Sequence, residues 1–307
     1  MSLHDSADLV TVHEAARAPF WRTALRRLTC LALTILLAAF LAACLVRFAP
    51  GFGMDERQLD ARLNTESIQA IQGEYSGETS VFRYFGNYLA ALCRGDFGQS
   101  ISLGRPVREL MADRLGLTLR SAAAGLAWAW ALALAVVAVL STDWLRRRIL
   151  DLSATTVSGA LLCVPAAVVG LFSFYLGAGP SVAIGVILAP RIFRYTRNIA
   201  RAMSARPHVL AAQARGIGGV GFALRHIWLP AAPEILALVA VSVSMALSAA
   251  IPVEALCDSP GVGQLAWKAA LARDLPVLVN ITVLIATITA VSNLLADAIR
   301  SAFWRTA

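Results

Sequence analysis

Five stretches of this 307-residue chain contain no Asp, Glu, Lys or Arg: Leu28–Val46, Ser121–Thr142, Leu152–Pro190, Ile235–Val253 and Leu275–Ala296. A bilayer core about 30 Å thick is crossed by about 20 helical residues, and four of the runs have that length. Leu152–Pro190 is twice as long and is interrupted by Gly177-Ala178-Gly179-Pro180, so it is read as two crossings joined by a tight turn. Composition agrees: 58% of residues are hydrophobic and 15% charged, against about 45–50% and about 25% in soluble domains. The expected fold is an all-α integral membrane protein with six transmembrane helices. Residues 1–27 form an N-terminal segment, 28–46 the first span, 47–116 a polar loop, and 117–307 a core with five further spans.

Short basic loops orient the chain. Arg22, Arg26 and Arg27, then Arg146-Arg147-Arg148, then the seven arginines of 191–225 are all expected in the cytoplasm, because Lys and Arg beside spans are retained there. Both termini are then cytoplasmic and 47–116 faces the other side. That loop carries eight arginines, but long loops obey the charge rule less strictly. It is expected to hold a short amphipathic helix over 55–72 and an aromatic segment, Phe82–Leu92, at the membrane interface. Residues 181–190 are too few to cross, so the fourth span must run on through Arg191, Arg194 and Arg197. These three either snorkel to the interface or face the bundle interior.

Between two apolar regions lies RPHVLAAQARGIGGVGFALRHIWLP, residues 206–230, with three arginines, two histidines and no acid. Its Ala-rich first half is expected to form about two helical turns. Gly216, Gly218, Gly219 and Gly221 then make further regular helix costly, at roughly 1 kcal/mol each relative to Ala. A short basic helix closed by glycines is a shape that another protein can grip.

The net charge of +8 does not indicate nucleic acid, since the arginines flank spans and no aromatic-basic motif accompanies them. Gly216-x-Gly218-x-x-Gly221 spells a dinucleotide fingerprint, but that motif works only between a strand and a helix. Leu41-Ala42-Ala43-Cys44 imitates a lipoprotein cleavage box, yet the apolar run continues past it and is kept as the first span. Cys30, Cys44, Cys93, Cys163 and Cys257 form no CxxC pair, so neither a metal site nor a redox motif is expected. The sole lysine, Lys268, lies outside any phosphate-binding loop, and no catalytic motif stands out. Uphill transport would therefore need energy from elsewhere. Ion coupling tends to place acids within spans, whereas Glu234, Glu254, Asp274 and Asp297 are read at span ends. The interior polar groups are hydroxyls and amides, and among them Ser242, Ser244, Ser248, Asn280 and Thr287 would line a solute path, or simply join helices.

Four motifs carry a resemblance: Arg47-Phe48-Ala49-Pro50-Gly51; Gly95-Asp96-Phe97-Gly98-Gln99-Ser100 with Arg105-Pro106-Val107; Val209–Gly216 with Arg225-His226-Ile227 and Pro230; and Pro260-Gly261-Val262-Gly263-Gln264-Leu265 with Ala272–Val277. In this order they resemble the inner-membrane permease subunits of ABC importers, of the dipeptide, oligopeptide and nickel kind. The resemblance implies a type I permease fold in the bacterial inner membrane, with 47–116 periplasmic. It also implies a homologous second permease, two cytoplasmic ATPases that bind the ATP, and a periplasmic solute-binding protein. No cofactor is expected in this chain itself. The loop 202–230 would be the coupling helix that meets the ATPase through His208, Ala211, Ala212, Arg215, Gly216 and Gly219. The chain departs from the pattern at Leu210, where the motif's name places Glu, and at Arg191, where a neutral residue is usual. Peptide is the implied cargo, with nickel or another small solute as the alternative.

Overall fold

The computed structural model describes residues 20–48, 81–140 and 144–303. Within them the chain forms ten helices: α1 Phe20–Phe48, α2 Val81–Cys93, α3 Val107–Leu140, α4 Trp144–Cys163, α5 Ala166–Tyr175, α6 Pro180–Ser204, α7 Pro207–Ala214, α8 Val220–Leu256, α9 Val262–Leu271 and α10 Leu275–Phe303. No strand occurs among the described residues, only an isolated bridge between Gln99 and Pro106. The expected helix over 55–72 and the side chains of Arg146, Arg147 and Arg148 lie outside the described part.

Among the described residues three helices are long and apolar enough to cross a membrane: Val107–Leu140, Val220–Leu256 and Leu275–Ser301. The double-length run departs from expectation. Its turn stands as foreseen, with Gly177 at φ 66° and the Ala178 N–H donating to the Ser173 carbonyl at 2.9 Å. Its first arm, however, is not straight. The segments Asp151–Cys163 and Ala166–Tyr175 meet at 91°. Pro165 is the cause: it lacks an N–H, clashes with the preceding turn, and pushes Val164 out of helical conformation. The second arm does continue through the arginines, as one helix of 25 residues with Pro190 inside it.

Small residues set the central packing. Gly125 on α3 abuts α6 so closely that a methyl group there would lie 2.7 Å from the Ile184 side chain and from the Ser181 carbonyl. Around this crossing Ala122, Ala129 and Ala133 of α3 join Ile184, Leu188 and Ile192 of α6 and Ala246, Leu247 and Val253 of α8 in one core. Close backbone approach of this kind maximises van der Waals contact, the main attraction between helices in lipid. A second core joins the start of α3 (Val107, Leu110, Met111) to α9 and α10. A third joins α1 and α2 to α10 through Ala39, Tyr88, Leu275 and Val279.

Candidate functional site

At one end of the bundle, α7 is an outward-facing unit with a closed C-terminal end. Arg206 is extended and Pro207 takes the first helical position, where a missing N–H costs nothing. The helix closes on Gly216 at φ 75°. There the Gly216 N–H donates to the Gln213 carbonyl at 2.9 Å and the Ile217 N–H to the Ala212 carbonyl at 3.2 Å, the paired bonds of a Schellman motif. Gly219 at φ 88° then turns the chain into α8, whose first turns include a π-helical segment, Ala223–Trp228. Val209 and Ala212 are buried, one helical turn apart, and seat α7 on its own chain. His208 lies on the rim of this seat, with Nε2 3.2 Å from the His226 carbonyl oxygen.

Of the six residues expected at a partner contact, five are exposed: His208, Ala211, Arg215, Gly216 and Gly219. Ala212 is the exception at 7% exposure. It packs inward because the i, i+3 spacing from Val209 puts both on one side. The outward surface adds Leu210, Ile217, Val220 and Leu224, all exposed apolar residues. It is thus a mixed apolar and basic patch without an acid of its own.

At the opposite end of α8 lies a knot of buried carboxylates. Glu254 is fully buried. Its Oε2 accepts from Thr118 Oγ1 at 3.0 Å and from the Gly263 N–H at 2.9 Å, and its Oε1 accepts from Ser121 Oγ at 3.1 Å. Thr118 also accepts the Val262 N–H at 2.8 Å. The carboxylate thereby binds α3, α8 and the start of α9 together. Gly261 leaves room for it, since a methyl group there would stand 2.1 Å from Oε2. Asp274 is likewise buried. Its Oδ2 accepts from Ser100 Oγ at 2.5 Å, the Ser102 N–H at 3.0 Å and Ser102 Oγ at 2.8 Å. It also caps α10, with the Val277 N–H 3.4 Å from Oδ1. Two motifs far apart in sequence, 95–100 and 272–277, are joined here.

Sequence reasoning placed both acids at span ends and gave them no role. The signal available was their company: Glu254 precedes the small pair Gly261 and Gly263, and Asp274 lies within the motif Ala272–Val277, directly before the apolar run of α10.

The five residues expected along a solute path occupy α8 and α10 but are mostly engaged within the chain. Ser242 Oγ accepts from Trp130 Nε1 at 3.1 Å. Asn280 donates to the Phe97 carbonyl at 2.8 Å and accepts from Tyr88 Oη at 3.0 Å. Burial pushes the Tyr88 hydroxyl up to about 12, so it stays protonated and able to donate at physiological pH. Ser244 and Thr287 return their hydroxyls to Val241 and Val283 at 2.7 Å. Ser248 is exposed, with its hydroxyl donating to the Ser244 carbonyl at 2.9 Å.

Comparison with known proteins gives these features a common setting. The chain is 25% identical over 272 residues to the glutathione transport system permease protein GsiC of Salmonella typhimurium, covering 83% of this chain and 88% of that protein. It is 23% identical, over the same shares, to GsiC of Escherichia coli strain K12. Residues 131–305 match the family described as binding-protein-dependent transport system inner membrane component. That match covers more than half of the sequence, and it takes in α7 together with both Glu254 and Asp274. The chain belongs to this family, the inner-membrane permeases of ABC importers.

Proposed function

We propose that this chain is one of two permease subunits of an ATP-driven importer for small peptides, with six crossings and both termini in the cytoplasm. The bent α4–α5 pair is one crossing, and α1 and α6 supply two more beside the three long apolar helices. Residues 47–116 face the periplasm and meet a solute-binding protein. The segment 202–230 faces the cytoplasm, where α7 enters a groove of a separate ATPase that binds the ATP. A homologous second permease completes the route, and ATP binding reorients the helices around it by alternating access.

The presentation of α7 carries this reading. A helix of 8 residues, opened by Pro207, closed by the Schellman turn at Gly216 and seated by Val209 and Ala212, is rigid enough to transmit a push, and its exposed basic and apolar face is open to a partner. Peptide cargo is supported by the name of the relatives, glutathione being a tripeptide. The test is topology and association together. In a background without the native cysteines, Gln213→Cys should react with an impermeant thiol reagent only after the membrane is permeabilised. The purified chain should bring down an ATPase, and Ala211→Trp should release it. Labelling of residue 213 in intact cells, or retention of the ATPase by Ala211→Trp, overturns the assignment.

A further inference from the structure

The helix α6 carries four arginines, and the structure divides them. Arg197 is 13% exposed at its side chain and meets Asp151 in two parallel bonds, Nε to Oδ1 at 2.6 Å and Nη2 to Oδ2 at 2.5 Å. Arg201 shares the same carboxylate. Arg191 and Arg194 are exposed, and among the described residues no acid pairs with either. With Tyr195 and Asn198, also exposed, they recur at i, i+3, i+4 and i+7, which is one helix face. The opposite side, through Ala189, Phe193 and Thr196, is buried. Thus α6 gives its apolar side to its own bundle and turns a cationic stripe away from it.

Depth makes this stripe unusual. At about 1.5 Å per residue, Arg191 stands about 16 Å along α6 from Pro180 and about 20 Å short of Ser204. In a membrane-crossing α6 that is mid-bilayer, where charges occur only facing a partner, a bundle interior or a water-filled cavity. The bend at Pro165 also opens a cavity of about 60 Å³ lined by Leu161, Val164, Val186, Ile187 and Arg191. That is room for a few hydrating waters beside the guanidinium.

We propose that the Arg191–Arg194 face lines the solute route and receives the carboxylate of a carboxylate-bearing solute as it passes. Two guanidinium groups one turn apart offer planar, bidentate donors matched to a carboxylate. The chain would thereby favour anionic or C-terminally free peptides over amidated ones. This rests on the permease reading above, and ATPase co-purification separates failure of the two: a variant that still brings down the ATPase tests the face alone.

The experiment uses the complete complex in phosphatidylcholine proteoliposomes, with native cysteines replaced and Arg191→Cys introduced. A sulfonate methanethiosulfonate should label this position about tenfold faster than its trimethylammonium counterpart, the enhancement a charged cleft gives to its counter-ion. Adding Arg194→Gln should remove the preference. In otherwise native complex, Arg191→Gln with Arg194→Gln should abolish any preference for uptake of a di- to pentapeptide pool over the same pool amidated. No labelling by either reagent would mean that lipid or a partner subunit covers the face, and the proposal fails. It fails equally if both reagents react alike, or if phosphatidylglycerol in the vesicles suppresses labelling, which would mark a headgroup site. Survival of the free-acid preference in the double variant, or equal entry of both pools in the native complex, also overturns it.

Discussion

Glu254, near the end of α8, accepts a hydrogen bond from Thr118 of α3 at 3.0 Å, across 136 positions of sequence. With Ser121 and the Gly263 N–H as further donors, the carboxylate has its acceptor capacity well used inside a closed environment. Replacing Glu254 by Leu would leave these donors buried and unsatisfied, at about 1–3 kcal/mol for each group that fails to find water. We expect Glu254→Leu to abolish stable expression. Glu254→Gln, which keeps an acceptor, should lower the thermal midpoint of the detergent-solubilised protein while preserving the fold. Equal midpoints for wild type and Glu254→Leu would refute the role.

Gly261 and Gly263 are predicted to be intolerant of even one carbon. A methyl group at 263 would meet the Ile251 backbone at 2.6 Å, whereas the nearest atoms to one at 261 all belong to the Glu254 carboxylate. Overpacking of this kind costs about 1–3 kcal/mol. Gly263→Ala should be destabilising in every background. The effect of Gly261→Ala should shrink in a Glu254→Ala background, because its clash is with that side chain. A double-mutant cycle read by thermal unfolding checks this.

The Asp151 cluster predicts unequal arginines. Arg197 has a side chain 13% exposed, Arg201 one 59% exposed, and both pair with Asp151. Arg197→Gln should cost about 1.5–3 kcal/mol, as for hydrogen bonds to charged groups. For Arg201→Gln, an exposed pair, about 0–1 kcal/mol is expected. Equal losses in a denaturation series would show that the pairing geometry is not what matters.

On α7, adjacent alanines should respond differently. Ala211 is exposed and Ala212 buried, so Ala211→Trp should leave the permease intact while releasing the ATPase. Ala212→Trp should instead unseat α7 and reduce the amount of folded permease. Gly216→Ala should weaken the cap by roughly 1–2 kcal/mol, the cost of left-handed backbone for a residue with a Cβ. Size-exclusion profiles and pull-down yield distinguish these outcomes.

Charge-free runs made the long helices legible, and glycine chemistry foretold the closure of α7. The break at Pro165 was hidden because a run defined by absent charge says nothing about a helix breaker within it. The pairing of Arg197 with Asp151 was hidden for another reason. Asp151 is the residue just before the run Leu152–Pro190, and only the folding back of α6 across 46 positions brings it to Arg197. Glu254 and Asp274 looked like boundary residues because a linear reading registers nearness to a span's end, not enclosure by other helices. The inward turn of Ala212 followed from helical spacing with Val209, but only once the seat of α7 was known.

The π-helical turn at Ala223–Trp228 sets the phase of everything after it. Widening one turn accommodates a residue more than regular α-helix would, so excising one residue there would restore tight winding. The rest of α8 would then rotate by about 100° about its axis relative to α7. Ser242 would swing off Trp130 and Glu254 off Thr118, although neither had been altered. A single-codon deletion near residue 225 should therefore disorganise the distant end of the molecule, about 40 Å away, while a point substitution at the exposed Arg225 should leave that end folded.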